Sequence, residues 1–143
     1  MVIELISYQT YEELLSQFKS LLVDKWGDSL LSIIVYGSIA RGKGHRESDI
    51  DLLIVLKEAP QAYHERLQPV VEIEHKIRGS DAFKALTERG IMPCFSTLIL
   101  SKEEAEENRY IFLDMIEDSI ILLDQEGFFA RRLRELKERL KLL

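Results

Sequence analysis

Two short runs of apolar residues stand out from the rest of the chain: Leu31 to Tyr36 (Leu-Ser-Ile-Ile-Val-Tyr) and Ile50 to Leu56 (Ile-Asp-Leu-Leu-Ile-Val-Leu). Both are β-branched or leucine-rich and nearly continuous, which predicts buried strands. Elsewhere the apolar positions recur with helical spacing. From Thr10 to Trp26 they fall at Tyr11, Leu14, Leu15, Phe18, Leu21, Leu22 and Val23, which predicts an amphipathic helix with Thr10 and Glu13 as its capping box and Gly27 as its stop. Pro60 opens a polar segment to Arg89 that predicts one helix broken near Gly79, or two helices. Gly90 and Pro93 mark the turn into a third strand, Cys94 to Leu100. Ser101 with Glu104 spells a second capping box, starting a short acidic helix that runs into Tyr110 to Glu117. Ser119 to Leu123 predicts an edge strand, Asp124 to Gly127 a turn, and Phe128 to Leu143 a terminal helix with Phe129, Leu133, Leu136, Leu140 and Leu143 on one side.

This succession predicts an α/β fold: a small mixed β-sheet with helices mainly on one face. The chain of 143 residues, 46% hydrophobic and 31% charged, fits one domain over residues 1–143. The terminal helix carries more apolar surface than one small sheet is expected to cover, so its stripe predicts an interface, in a homodimer or a hetero-complex, with packing into the chain's own core as the alternative.

Between the first two strands lies the segment that carries chemistry. Gly37-Ser38 follows the first strand, Arg41-Gly42 comes next, and Ser48-Asp49-Ile50-Asp51-Leu52 enters the second, with ten residues between Ser38 and Asp49. Asp49 and Asp51, two apart on a strand, leave the same face with Cα atoms roughly 6.6 Å apart. Two converging carboxylates repel unless a cation joins them, and burying them beside Leu52 to Leu56 costs several kcal/mol without compensation. Magnesium is such a cation, since it takes one or two carboxylates and completes its shell with water and substrate phosphates. The Gly-Ser turn offers phosphates an unobstructed backbone and a hydroxyl, and Arg41 a charge-assisted contact. Together these residues predict a site for a magnesium-triphosphate.

The pattern Gly37-Ser38, Arg41-Gly42 and Ser48-Asp49-Ile50-Asp51-Leu52 resembles the signature of the DNA polymerase β-like nucleotidyltransferase superfamily. It is most similar to the minimal nucleotidyltransferase group, whose core resembles that of kanamycin nucleotidyltransferase. The tail Leu113-Asp114-Met115-Ile116-Glu117-Asp118-Ser119-Ile120-Ile121-Leu122-Leu123-Asp124 resembles small members of that group more loosely. The resemblance implies transfer of a nucleoside monophosphate from a nucleoside triphosphate, ATP foremost, to a hydroxyl of a protein or small molecule. Asp49 and Asp51 would be the catalytic, metal-holding pair, with Mg2+ (or Mn2+) as cofactor, and Gly37, Ser38 and Arg41 the nucleotide-binding residues. It also implies an alternative: a catalytically weak, antitoxin-like partner of a helical HEPN-type protein in a toxin–antitoxin pair. Family members carry a third carboxylate on a later adjacent strand, yet the Cys94 to Leu100 run contains no acid. Ser96 or Thr97 would stand in its place, and Glu72 and Glu74 are the nearest preceding acids, in a helical segment.

The remaining features narrow the picture. A net charge of −6 argues against general nucleic-acid binding, while Arg41, Lys43, His45 and Arg46 still make the signature loop locally basic. His45 is therefore a candidate substrate contact, whereas His64 and His75 lack metal-ligand spacing and read as surface residues. No apolar stretch approaches the roughly 20 residues of a membrane span and no secretory leader pattern opens the chain, which predicts a cytoplasmic protein. Cys94, the single cysteine, sits in an apolar context and is expected to be a buried structural thiol. Glu103, Glu104, Glu106 and Glu107 are expected to form a solvated helix face.

Overall fold

A computed structural model describes residues 4–142, and Leu143, counted above in the terminal helix, lies outside them. Helix α1 spans Tyr8–Trp26 and presents Tyr11, Leu14, Leu15, Phe18 and Leu22 as one buried face. Its cap differs from expectation: the helix starts earlier, and Thr10 Oγ1 accepts the backbone N–H of Ser7 at 3.5 Å. Thr10 thus serves three residues into the box, not at its head. Gly27, at φ 51°, ends the helix.

Strand β1 (Leu30–Tyr36) is buried along its whole length. A single-turn helix α2 (Gly37–Ala40) and an irregular loop lead to β2 (Ile50–Leu56). Helices α3 (Tyr63–Ile77) and α4 (Asp81–Glu88) follow, separated at Gly79, with Ser80 Oγ accepting the Phe83 N–H at 3.2 Å as the α4 cap. Strand β3 (Phe95–Ser101) runs into α5 (Lys102–Ala105), a 3-10 segment covers Tyr110–Met115, and β4 (Ile120–Asp124) precedes α6 (Phe128–Leu140). The acidic helix expected to continue from Ser101 stops after four residues, although its capping box forms, with Ser101 N–H to Glu104 Oε1 at 2.8 Å and Glu104 N–H to Ser101 Oγ at 3.1 Å.

The sheet has the order β3-β2-β1-β4; β2 pairs in parallel with β3, whereas β1 is antiparallel to both β2 and β4. The fold is therefore the expected mixed sheet. Helices α1, α3 and α4 pack on one face over Leu30, Ile33, Val35, Leu52, Ile54 and Leu56. Phe112 and Met115 of the 3-10 segment, Ala105 of α5 and the apolar side of α6 cover the other face, over Leu31, Ile34, Leu53 and Val55. Phe128, Phe129, Leu133 and Leu136 are all buried there, so the stripe expected to mark an interface is used by the chain's own core.

Two polar links fasten the layers. Asp124 accepts the Ser32 hydroxyl at 2.6 Å and the N–H groups of Phe129 and Ala130 at 2.9 and 3.0 Å, joining β4 to β1 while capping α6. Arg66 of α3, buried, donates to the carbonyls of Pro60 and Ile99 and to both oxygens of Glu104. That pairing takes Glu104 out of the solvated face expected for it, and holds its carboxyl at a pKa of about 2, chiefly through the Arg66 hydrogen bond. Glu103, Glu106 and Glu107 remain exposed. Among the described residues no helix is long and apolar enough to cross a membrane.

Candidate functional site

Antiparallel pairing of β1 with β2 places Tyr36 directly opposite Asp51, so both ends of the signature segment meet at one end of the sheet. The chain leaves β1 at Gly37, whose φ of 76° is a left-handed conformation that an L side chain resists. Backbone bonds then close the turn: Arg41 N–H to Gly37 O at 3.1 Å and Lys43 N–H to Ser38 O at 2.9 Å. Gly44 pairs with Ile6 in both directions, at 2.7 and 3.0 Å, which ties the loop to the segment preceding α1. The end of the loop folds on itself, with His45 N–H to Ser48 Oγ and Ser48 N–H to His45 O both at 2.9 Å.

The predicted residues converge. A Cβ at Gly37 would overlap Asp51 Oδ2, so the glycine backbone lies against that carboxylate. Asp51 is half-buried and its pKa is pushed above the usual carboxylate value, first by desolvation and then by the negative charge of Asp49, with the Arg41 guanidinium pulling the other way. Asp49 and Arg41 are exposed, and Ser38 is half-buried beside them in sequence. A carboxylate held in this state by burial and a like charge is relieved by a bound cation, so the donor set fits a divalent metal.

Across the sheet, the β2–β3 register sets Ser96 beside Asp51 and Thr97 beside Leu52. Adjacent positions in a ladder share a face, so of the two hydroxyl residues expected in place of a third acid it is Ser96 that shares a face with Asp51. Thr97 faces the other way, its Oγ1 buried without a partner. Glu72 and Glu74 belong to α3, which packs on the sheet face opposite to the one Asp51 shares with Leu53, and Glu72 lines a groove with Asp24, Lys25 and Lys76 there. Neither is near the aspartate pair. His64 and His75 are exposed as expected, and His45 is exposed within the loop.

Cys94 departs from expectation. It is exposed, because the ladder starts one residue later and Phe95 takes the inward place, stacked on Phe18 with ring centroids 4.6 Å apart. Its carbonyl accepts the Ile50 N–H at 2.8 Å, so Cys94 flanks Asp49 at the mouth of the parallel pair.

Tyr36, not singled out from the sequence as a site residue, adjoins Asp51, and two further residues, Tyr63 and Asp114, act on its hydroxyl. Tyr36 is buried and its hydroxyl pKa is pushed up to about 12, by desolvation first and then by Asp51, Tyr63 and Asp114. Tyr63 Oη in turn accepts the Ile99 N–H of β3 at 3.0 Å. Asp114 sits on the 3-10 segment; its place in the run Leu113 to Asp124 was visible, but only tertiary packing sets it near Tyr36.

Two Methanocaldococcus jannaschii proteins, provisionally named protein adenylyltransferases, are 44% and 42% identical to the chain over 48 residues, 34% of its length. The matched stretch spans only 33% of the first relative and 48% of the second. A chain from a crystal structure of a toxin–antitoxin with AMP-PNP superposes with a TM-score of 0.52 at 15% identity, covering 89% of both chains. One from a mutant MntA–HpeT toxin–antitoxin does so with 0.51 at 14% identity, again over 89% of each. Likeness at such identity is likeness of fold. A family profile described as nucleotidyltransferase domain matches residues 15–137, most of the chain. The chain belongs to the nucleotidyltransferase domain family.

Proposed function

We propose that this chain binds a magnesium nucleoside triphosphate, ATP foremost, and transfers its nucleoside monophosphate to a hydroxyl of a protein or small molecule. The observation that carries this reading is the contact of the Gly37 backbone with the Asp51 carboxylate, flanked by Asp49 and Arg41. It sets a phosphate-admitting turn against a carboxylate pair that a cation would stabilise. Family members use a divalent metal ion; here Asp49 and Asp51 would hold it, magnesium or manganese. When bound, the metal neutralises phosphate charge and anchors the triphosphate. Gly37 and Ser38 receive the β- and γ-phosphates, and Arg41 offsets charge on the departing pyrophosphate. The names of the two archaeal relatives favour AMP as the group transferred. We read residues 1–143 as a single domain in a cytoplasmic setting, with the acceptor held by a second subunit or another protein.

A second reading rests on Ser96 beside Asp51: a site without the third acid on β3 turns over slowly, since a neutral hydroxyl is a poor base. In that case the chain is an antitoxin-like partner of a HEPN-type helical protein, and its fold likeness to a toxin–antitoxin chain supports such a pairing.

The deciding experiment incubates the chain with magnesium, α-labelled nucleoside triphosphates and lysate of the source organism, then asks which molecule carries label. Label on a protein or small molecule, lost in Asp49→Asn with Asp51→Asn, supports transfer. Nucleotide binding with no labelled product leaves the binding-partner reading.

A further inference from the structure

The sheet face that bears the Asp51 carboxylate has a second acid at its edge. Asp51 shares its face with Leu53, Tyr36 and Ser96, because alternate residues of β2 and laterally paired residues point the same way. That face is covered by the 3-10 segment Tyr110–Met115, through Phe112 and Met115, which are buried in one cluster with Tyr36 and Leu53. Asp114 lies between those two anchors in sequence and is itself exposed. The chain then turns into β4 opposite Val35, one residue from Tyr36, so the segment must return at the end of the sheet where the aspartates sit.

We propose that Asp114 is the carboxylate that takes the proton from the acceptor hydroxyl, the task that β3 leaves without an acid. This rests on the nucleotidyl-transfer reading above. In the step, the acceptor oxygen bonds to the α-phosphorus and the bond from that phosphorus to the pyrophosphate oxygen breaks. The electron pair leaves on pyrophosphate, and the acceptor proton passes to Asp114 and then to water.

Other candidates for the proton fail on chemistry or place. Ser96 has the position but not the basicity, and Tyr36, with its hydroxyl at about 12, stays protonated at neutral pH. Glu117, three residues on, is paired with Lys137 at 3.4 Å. Asp114 enters none of the ion pairs among the described residues. Its charge, like that of Asp51, acts on the Tyr36 hydroxyl, so the two carboxylates lie within electrostatic reach of one group. Among the described residues no three acids, histidines or cysteines cluster tightly enough to hold one metal ion. Asp114 therefore does not join Asp49 and Asp51 as a third ligand of one ion, which leaves it available to the acceptor.

The test uses the full chain with magnesium, γ-labelled ATP and lysate of the source organism, and compares the unsubstituted protein with D114N, D114E and D118N. Expected are a fall in pyrophosphate release of about 10²-fold or more in D114N, partial recovery in D114E, no change in D118N, and an undiminished rise of the melting temperature with magnesium-ATP in all four. Release from D114N within about threefold of the unsubstituted rate overturns the assignment and leaves transfer standing. So does loss of the magnesium-ATP shift in D114N, which would make Asp114 a binding or structural residue. No release from the unsubstituted chain removes the transfer reading, and this inference with it.

Discussion

Gly37 and Asp51 are packed so closely that a methyl group on the glycine would overlap Oδ2 and stand 3.1 Å from Cγ. In the proposed function the contact couples the turn that would admit phosphate to a carboxylate that would hold the metal, and φ of 76° at Gly37 makes any side chain there strained as well as crowded. Gly37→Ala should therefore force the carboxylate aside and add about 1–2 kcal/mol of left-handed backbone strain. The expected outcome is a drop of about tenfold or more in magnesium-ATP affinity by calorimetry with the circular dichroism spectrum kept. Unchanged affinity would detach Gly37 from the site.

Asp51 has a folded pKa raised above its ordinary 3.8. A raised acid contributes stability that is complete below the unfolded value and is lost as pH rises through the folded one. The metal-free protein should accordingly lose stability as pH climbs from 3.8, and Asp51→Asn should raise its melting temperature at pH 7 but not at pH 3. The same substitution, above all when combined with Asp49→Asn, should abolish the melting-temperature rise that magnesium with ATP produces through linkage. A full rise in the double variant places the metal elsewhere.

Glu104 behaves in the opposite sense. Its pKa of about 2, against an ordinary 4.5, makes its contribution present above 4.5 and lost as pH falls toward 2. Glu104→Gln leaves Arg66, only 7% exposed, without its charge partner. The expected cost at pH 7 is on the order of 2 kcal/mol, below the value for fully buried pairs because the Glu104 side chain is 36% exposed. Urea titrations should show that difference shrinking as pH approaches 2.

Removal of residues 128–143 tests the role of α6. Because Phe128, Phe129, Leu133 and Leu136 complete the core over Leu53 and Val55, the shortened chain should lose cooperative unfolding and bind hydrophobic dyes. A shortened chain that melts cooperatively would return the stripe to the role of an interface.

These outcomes separate what is local in the sequence from what is not. The β1 and β2 runs, the α1 stripe and the Gly37 to Asp51 signature were legible because strand and helix periods, and a turn between two strands, are set by neighbours in sequence. The third strand left Ser96 and Thr97 open in the sequence, and only the β2–β3 register sets Ser96 beside Asp51. Asp114 was not legible as a site residue, since only the packing of Phe112 and Met115 carries its segment to Tyr36. Cys94 was misplaced by a ladder that begins one residue later, and Glu104 by a buried arginine 38 positions away. The α6 stripe was real, but no pattern within a helix tells whether its covering surface belongs to the same chain.

The two halves of the site differ in how firmly they are held. Strand β2 is hydrogen-bonded on both sides, between β1 and β3, and its residues 52–56 are buried. Residues 41–48 are mostly exposed and are held by a few turn bonds and the Ile6–Gly44 pairing. Amide hydrogens of Leu52 to Val55 should then exchange with solvent slowest, and those of the loop fastest. Substrate arrival would be felt as slowed exchange in the loop alone, with the carboxylate strand serving as the fixed reference against which the loop closes.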